Sequence, residues 1–130
     1  RGGVSVAMLS AAKGGITATN PSQWASFTRD IDAANNSTVV LVMDKTPSAF
    51  SSAAEANYFR AILSKYVEQG KKVFVISCGS TSYWTSTKDG VRYINLPDLW
   101  KADGTVNPNY KMLRFRVKDG AVTYEAVHIK

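Results

Sequence analysis

The sequence predicts a mixed α/β fold: buried strands joined by crossover helices, followed by antiparallel hairpins. Three observations carry this. Thr38–Met43 and Lys72–Ser77 are continuous apolar, β-branched runs of the kind buried on both faces of a sheet. Amphipathic helical segments alternate with them, which favours parallel strands with right-handed crossovers. Asp89-Gly90 and Asp119-Gly120 each sit between strand-like runs and signal tight hairpin turns.

The elements follow in order. Val4–Leu9 reads as a buried strand, and Lys13-Gly14-Gly15 as a turn. Asn20-Pro21 predicts a helix start, with Asn20 as the N-cap and Pro21 at the first helical position. Trp24, Phe27 and Ile31 give that helix one apolar face, and Asn35-Asn36 ends it. After the Thr38–Met43 strand, Asp44-Lys45-Thr46-Pro47 forms the exit loop. Ser52 and Glu55 have capping-box spacing ahead of a helix carrying Phe59, Ile62, Leu63, Tyr66 and Val67, which stops at Gly70. The next strand leads into Cys78-Gly79-Ser80-Thr81-Ser82, read as a loop. Thr81–Thr85 and Val91–Leu96 flank the first hairpin turn. Leu99–Asn109 reads as a polar loop, and Tyr110–Lys118 with Ala121–Ile129 as the second hairpin.

At 130 residues the chain is one domain, spanning 1–130, or a fragment of a larger protein. It begins Arg1-Gly2-Gly3 with no initiator Met, so an excised piece of a multidomain chain is the expectation. A hydrophobic content of 45% excludes a disordered tail. No apolar run approaches the ~20 residues of a membrane span, so none is expected. The single cysteine cannot form an internal disulfide, and the single histidine argues against a His/Cys zinc site. The net charge of +6 is dispersed. Arg114, Arg116 and Lys118 alternate along one strand, opposite Leu113, Phe115 and Val117, as on a solvated outer face; an anion-binding stripe is the functional alternative. Basic residues do not cluster with aromatics, so nucleic-acid binding is not expected.

In open α/β sheets ligands sit beyond the carboxyl ends of the strands. The two loops there, 44–47 and 78–82, hold the candidate residues. Resemblance to a family enters at these loops. Val6-Ala7-Met8-Leu9 leading through a Gly-rich turn to Gln23-Trp24, the loop ending in Pro47, the loop Gly79-Ser80-Thr81-Ser82 and the stretch Asp89-Gly90-Val91-Arg92-Tyr93-Ile94-Asn95-Leu96 resemble, in order and spacing, the C-terminal half of a calcineurin-like metallophosphoesterase. The resemblance implies half of that family's sandwich. It also implies a dinuclear metal centre using three histidines from the second and third segments. Asp44, Ser80 and Ser82 stand at those three positions here. A carboxylate can bind a metal, but serine hydroxyls are poor ligands for transition metals, and the family's N-terminal motifs do not occur in this chain.

The expected function is therefore a non-catalytic metallophosphoesterase-like module, structural or ligand-binding within a larger protein, with no cofactor. One alternative is part of an active phosphoesterase completed by an N-terminal half, with a divalent metal and Asp44 as a surviving ligand. Another is a carbohydrate- or polyanion-binding module. Candidate ligand-binding residues are Lys45, Gly79, Thr81, Tyr83 and Trp84, with Tyr93 and Trp100 as further members of a sugar-stacking platform; core and hairpin packing is the plainer role for these aromatics. Cys78 reads as a small buried side chain, or alternatively as a reactive thiol. A nucleophilic serine needs a base, and His128 lies far away in sequence. Half a sandwich leaves open sheet edges, so a homodimer through an edge or a compact smaller domain is expected. The composition suits an extracellular bacterial surface module, and a cytosolic one nearly as well.

Overall fold

The computed structural model describes residues 3–80, 82–98, 103–108, 110–118 and 121–128. The chain runs β1 (Val4–Leu9), α1 (Ile16–Thr19), α2 (Gln23–Ala34), β2 (Thr38–Met43), a 3-10 turn (Pro47–Ala49), α3 (Ala53–Glu68), β3 (Lys72–Ser80), β4 (Trp84–Lys88), β5 (Val91–Pro97), β6 (Lys111–Lys118) and β7 (Ala121–His128). It is a mixed α and β architecture. A five-stranded sheet has the order β1-β2-β3-β5-β4, and β6 pairs with β7 in a separate antiparallel ribbon. β1, β2, β3 and β5 are mutually parallel, and β4 runs antiparallel along the outer edge of β5.

The apolar pattern explains the layering. In β2 and β3 every second residue turns to one face, where Val39, Leu41, Met43, Val73 and Val75 meet Phe27 and Ile31 of α2 and Phe59 and Leu63 of α3. The alternate residues Val40, Phe74 and Ile76, with Ile94 of β5, form a second cluster on the opposite face beneath Leu113, Phe115, Val122 and Tyr124 of the β6–β7 ribbon. Phe74, Phe115 and Tyr124 make an aromatic triad there, with ring centroids 5.2–5.9 Å apart. The sheet thus lies between a helix layer and a hairpin layer.

The Asp89-Gly90 turn is as expected: φ is +53° and +79°, the positive pair that a two-residue type I′ hairpin requires. The expected β6 pattern also holds, with Arg114 and Arg116 outward and Leu113 and Phe115 packed inward.

Several local expectations need correction. β1 is not a buried strand but an edge strand of the sheet, with Val6 and Met8 exposed, because the helix layer covers only its Ala7 and Leu9 side. The first strand of the Asp89-Gly90 hairpin is Trp84–Lys88, pairing up to the turn itself, and not Thr81–Thr85. α2 begins at Gln23, not at Pro21, because the Asn20 side chain accepts hydrogen bonds from the Ser22 amide (3.2 Å) and hydroxyl (2.7 Å) and holds a turn instead of a cap. A short helix, α1, precedes it where only a turn was expected. Its Thr17 amide donates to the Glu55 carboxylate (2.8 Å), and a Cβ on Gly15 would collide with that carboxylate. Glu55 is therefore drawn away from a reciprocal capping box, although Ser52 Oγ still accepts from its amide (3.2 Å). Finally, β3 continues through Cys78, Gly79 and Ser80. Its pairing with β5 shifts register between Ser77 and Ser80, so the expected loop starts later.

Candidate functional site

Leu9, Met43 and Ser77 end the regular parallel pairing at one edge of the sheet, and the segments that follow them meet there. Asp44 leaves β2 at this edge. Its Oδ2 accepts from Ser10 Oγ (2.7 Å) and its Oδ1 from the Ala11 amide (2.7 Å), so both oxygens bind the segment after β1. Gln23 holds the same segment from α2. Its Oε1 accepts from the Ser10 amide (2.7 Å) and its Nε2 donates to the Ser10 carbonyl (3.0 Å). The adjoining Trp24 donates from Nε1 to Thr17 Oγ1 (2.9 Å). Asp44, Ser10, Gln23 and Cys78, with apolar flanks from Met8, Leu9, Val42 and Met43, line one open cleft of about 410 Å³.

The third strand end is fixed differently. Buried Asn95 on β5 accepts from Ser77 Oγ at Oδ1 (3.1 Å) and donates from Nδ2 to the Ser82 carbonyl (2.9 Å), anchoring the chain where it turns from β3 toward β4. Ser82 itself is exposed. Thr81, Trp100 and the side chains of Ser80 and His128 lie outside the described residues. Cys78 is exposed at this cleft rather than the buried side chain expected, because β3 carries it past the core to the open strand end. Partial desolvation, then the nearby Asp98 charge, still pushes its thiol up, which favours the protonated form over a reactive thiolate.

Each Asp44 oxygen accepts one hydrogen bond, and among the described residues no three His, Cys, Asp or Glu side chains gather in one place. β1, β2 and β3 advance in one direction, and α2 and α3 pack on the same face. The cleft at these strand ends is therefore not at a point where the strand order reverses.

Among the described residues the candidate aromatics do not form one platform. Tyr83 packs with the hairpin-side cluster, and Lys111 Nζ lies 6.0 Å from its ring centroid. Trp84, one residue on, points to the opposite face, as strand alternation dictates. There it lines a small cleft of about 180 Å³ with Tyr93, Arg60, Lys88, Ser86 and the Thr46–Ser48 turn. Sequence reasoning missed Arg60, because it lies on α3 and reaches this cleft only through tertiary packing. Lys45 is half-buried in the loop beside Asp44. The basic stripe on β6 is partly neutralised: Arg114 lies 3.2 Å and Arg116 4.0 Å from the Glu125 carboxylate on β7.

Comparison with protein-family models, with curated proteins and with solved structures gave no match. Among the described residues no helix is long and apolar enough to cross a membrane.

Proposed function

We propose that this chain is a non-catalytic, metallophosphoesterase-like module with a structural or ligand-binding role in a larger, cell-surface protein. The observation that supports this most is the use of Asp44. The residue at a position where the resembled family places a metal-binding histidine here ties the β1 exit to the β2 exit through two 2.7 Å hydrogen bonds. A carboxylate so used closes the strand ends and contributes to stability. The ligand-binding side of the proposal rests on the Trp84 cleft, where an indole lies beside hydroxyls and the cations Arg60 and Lys88. That chemistry suits an anionic sugar, with the ring stacked on the indole and the acid group on the cations.

Thermal denaturation of the wild type and of Asp44→Ala, each with Mn²⁺, Fe³⁺, Zn²⁺ or soluble anionic glycans, tests both parts. A ligand that binds only the folded chain stabilises it by ~2.7 kcal/mol at a hundredfold excess over Kd. The expected result is no metal-dependent rise in Tm, a rise with an anionic glycan, and loss of that rise in Trp84→Ala. A metal-dependent rise that disappears in Asp44→Ala overturns the non-catalytic reading and favours a phosphoesterase. The ligand-induced change is compared within each variant, because Asp44→Ala itself lowers stability by about 1–3 kcal/mol through the loss of two hydrogen bonds.

A further inference from the structure

Among the described residues β1 is an edge strand, hydrogen-bonded to β2 alone. Edge strands in soluble proteins are usually protected by a charge, a proline, a bulge or a covering loop. β1 reads Val4-Ser5-Val6-Ala7-Met8-Leu9, with no charge and no proline, and its register with β2 is unbroken over all six residues. Val6 is 64% and Met8 81% exposed on the hairpin-side face, beyond the reach of the β6–β7 ribbon. On the other side a groove of about 520 Å³ runs the length of β1 against α2, passing Ser26, Phe27, Asp30 and Ile31. A row of unpaired backbone groups at strand spacing, with an apolar surface above and a groove below, fits an extended strand.

We propose that the occupant is β1 of a second copy of this chain, paired antiparallel across a two-fold axis to make one continuous ten-stranded sheet. The strand complements itself. A two-fold axis normal to the sheet keeps each face on its own side, and antiparallel partners share a face. Pairing centred on Val6 sets Val6 beside Val6 and Val4 beside Met8. Pairing centred on Ala7 sets Val6 beside Met8. Both registers bring the exposed apolar side chains together and send the smaller Ser5 and Ala7 toward the groove. The arrangement is also closed. The sheet's other edge, β4, is exposed throughout and polar (Trp84-Thr85-Ser86-Thr87-Lys88), so it is a poor partner for the apolar β1 in an open head-to-tail array.

Size sets the strength. Six residues of strand extend about 20 Å, and a sheet with one helix layer is about 20 Å deep, so the contact covers on the order of 400 Å² per copy. The total of about 800 Å² falls below the ~1,200 Å² of stable specific complexes, so the dimer is weak and concentration-dependent.

Light scattering coupled to size exclusion, over a dilution series of the full chain, tests this. The expected wild-type result is a monomer–dimer equilibrium that shifts with concentration. Val6→Lys and Met8→Lys replace exposed side chains, so the fold persists by circular dichroism while the dimer is lost. In a Cys78→Ser background, Val6→Cys or Ala7→Cys is expected to form an intermolecular disulfide on oxidation, whichever register holds. A wild type that stays monomeric at every concentration overturns the proposal. So does a dimer that survives both lysine variants, since its interface lies elsewhere.

Discussion

Single side chains at two places in this molecule exchange solvent contacts for ties between elements. Lys71 is buried, and its ammonium donates to Asn35 Oδ1 (3.0 Å) and the Asn36 carbonyl (2.7 Å), so the exits of α2 and α3 share one cation. Tyr66 is buried on α3, and its phenol is pushed up to about 12, first by burial and then by the charge of Asp32 on α2. The phenol therefore holds its proton more tightly in the folded than in the unfolded chain. At a pH between the two values the unfolded chain binds fewer protons, so stability falls as pH rises. The contribution is whole below about pH 10, the ordinary tyrosine value, and is lost as pH passes through about 12. Burial raises Tyr83 and Tyr93 as well, so they add to the same alkaline loss. Tyr66→Phe should flatten part of that loss. Urea unfolding from pH 8 to 12 measures it, and an unchanged slope in the variant would show that Tyr66 does not contribute.

At the scale of elements, the β4–β5 hairpin depends on one turn. Gly90 sits at φ +79°, and a Cβ there would lie 2.7 Å from Val67 Cγ1 at the end of α3. Gly90→Ala therefore meets both backbone strain and a side chain already packed against the core. A loss of about 1–3 kcal/mol is expected, read from the urea midpoint at unchanged m-value. An effect within ~0.5 kcal/mol would mean that the turn relaxes freely. This turn was legible in the sequence because Asp-Gly states its own geometry. So were β2, β3 and α3, whose apolar periods are long. α1 was not legible, since its four residues depend on Glu55, about forty residues away, for a partner at their amino end. The end of β3 is not legible, because Gly79 and Ser80 signal a turn, while the pairing of Ser80 with Pro97 on β5 keeps the segment in the strand. Of the candidate site, Asp44 could be placed at a strand end from sequence. Its engagement by Ser10 and Ala11 could not, because that contact joins segments separated by more than thirty residues.

The whole molecule is held by two apolar clusters of unequal strength. The helix-side cluster contains most of the fully buried large side chains, including Phe59, Ile31, Leu41, Leu63 and Val75. The hairpin-side cluster rests on four buried sheet residues and on half-buried ribbon residues. An isolated two-stranded ribbon is marginal in water, so β6–β7 owes its order to docking on this face. Its strongest points are the contacts of Phe115 and Tyr124 with Phe74. Phe115→Ala removes two of the three ring pairs, each worth about 0.5–1.5 kcal/mol beyond the buried area. The five-stranded sheet keeps its helix layer in that variant, whereas Phe74→Ala cuts into a central strand and costs about 3–5 kcal/mol across the sheet. Native-state hydrogen exchange separates the two. Phe115→Ala should lose amide protection over 111–128 while β2 and β3 stay protected, as expected of a separately opening unit. Phe74→Ala should lower protection in both. Equal loss everywhere in Phe115→Ala would mean that ribbon and sheet fold as one cooperative body, with the second layer as necessary to the sheet as the helices are.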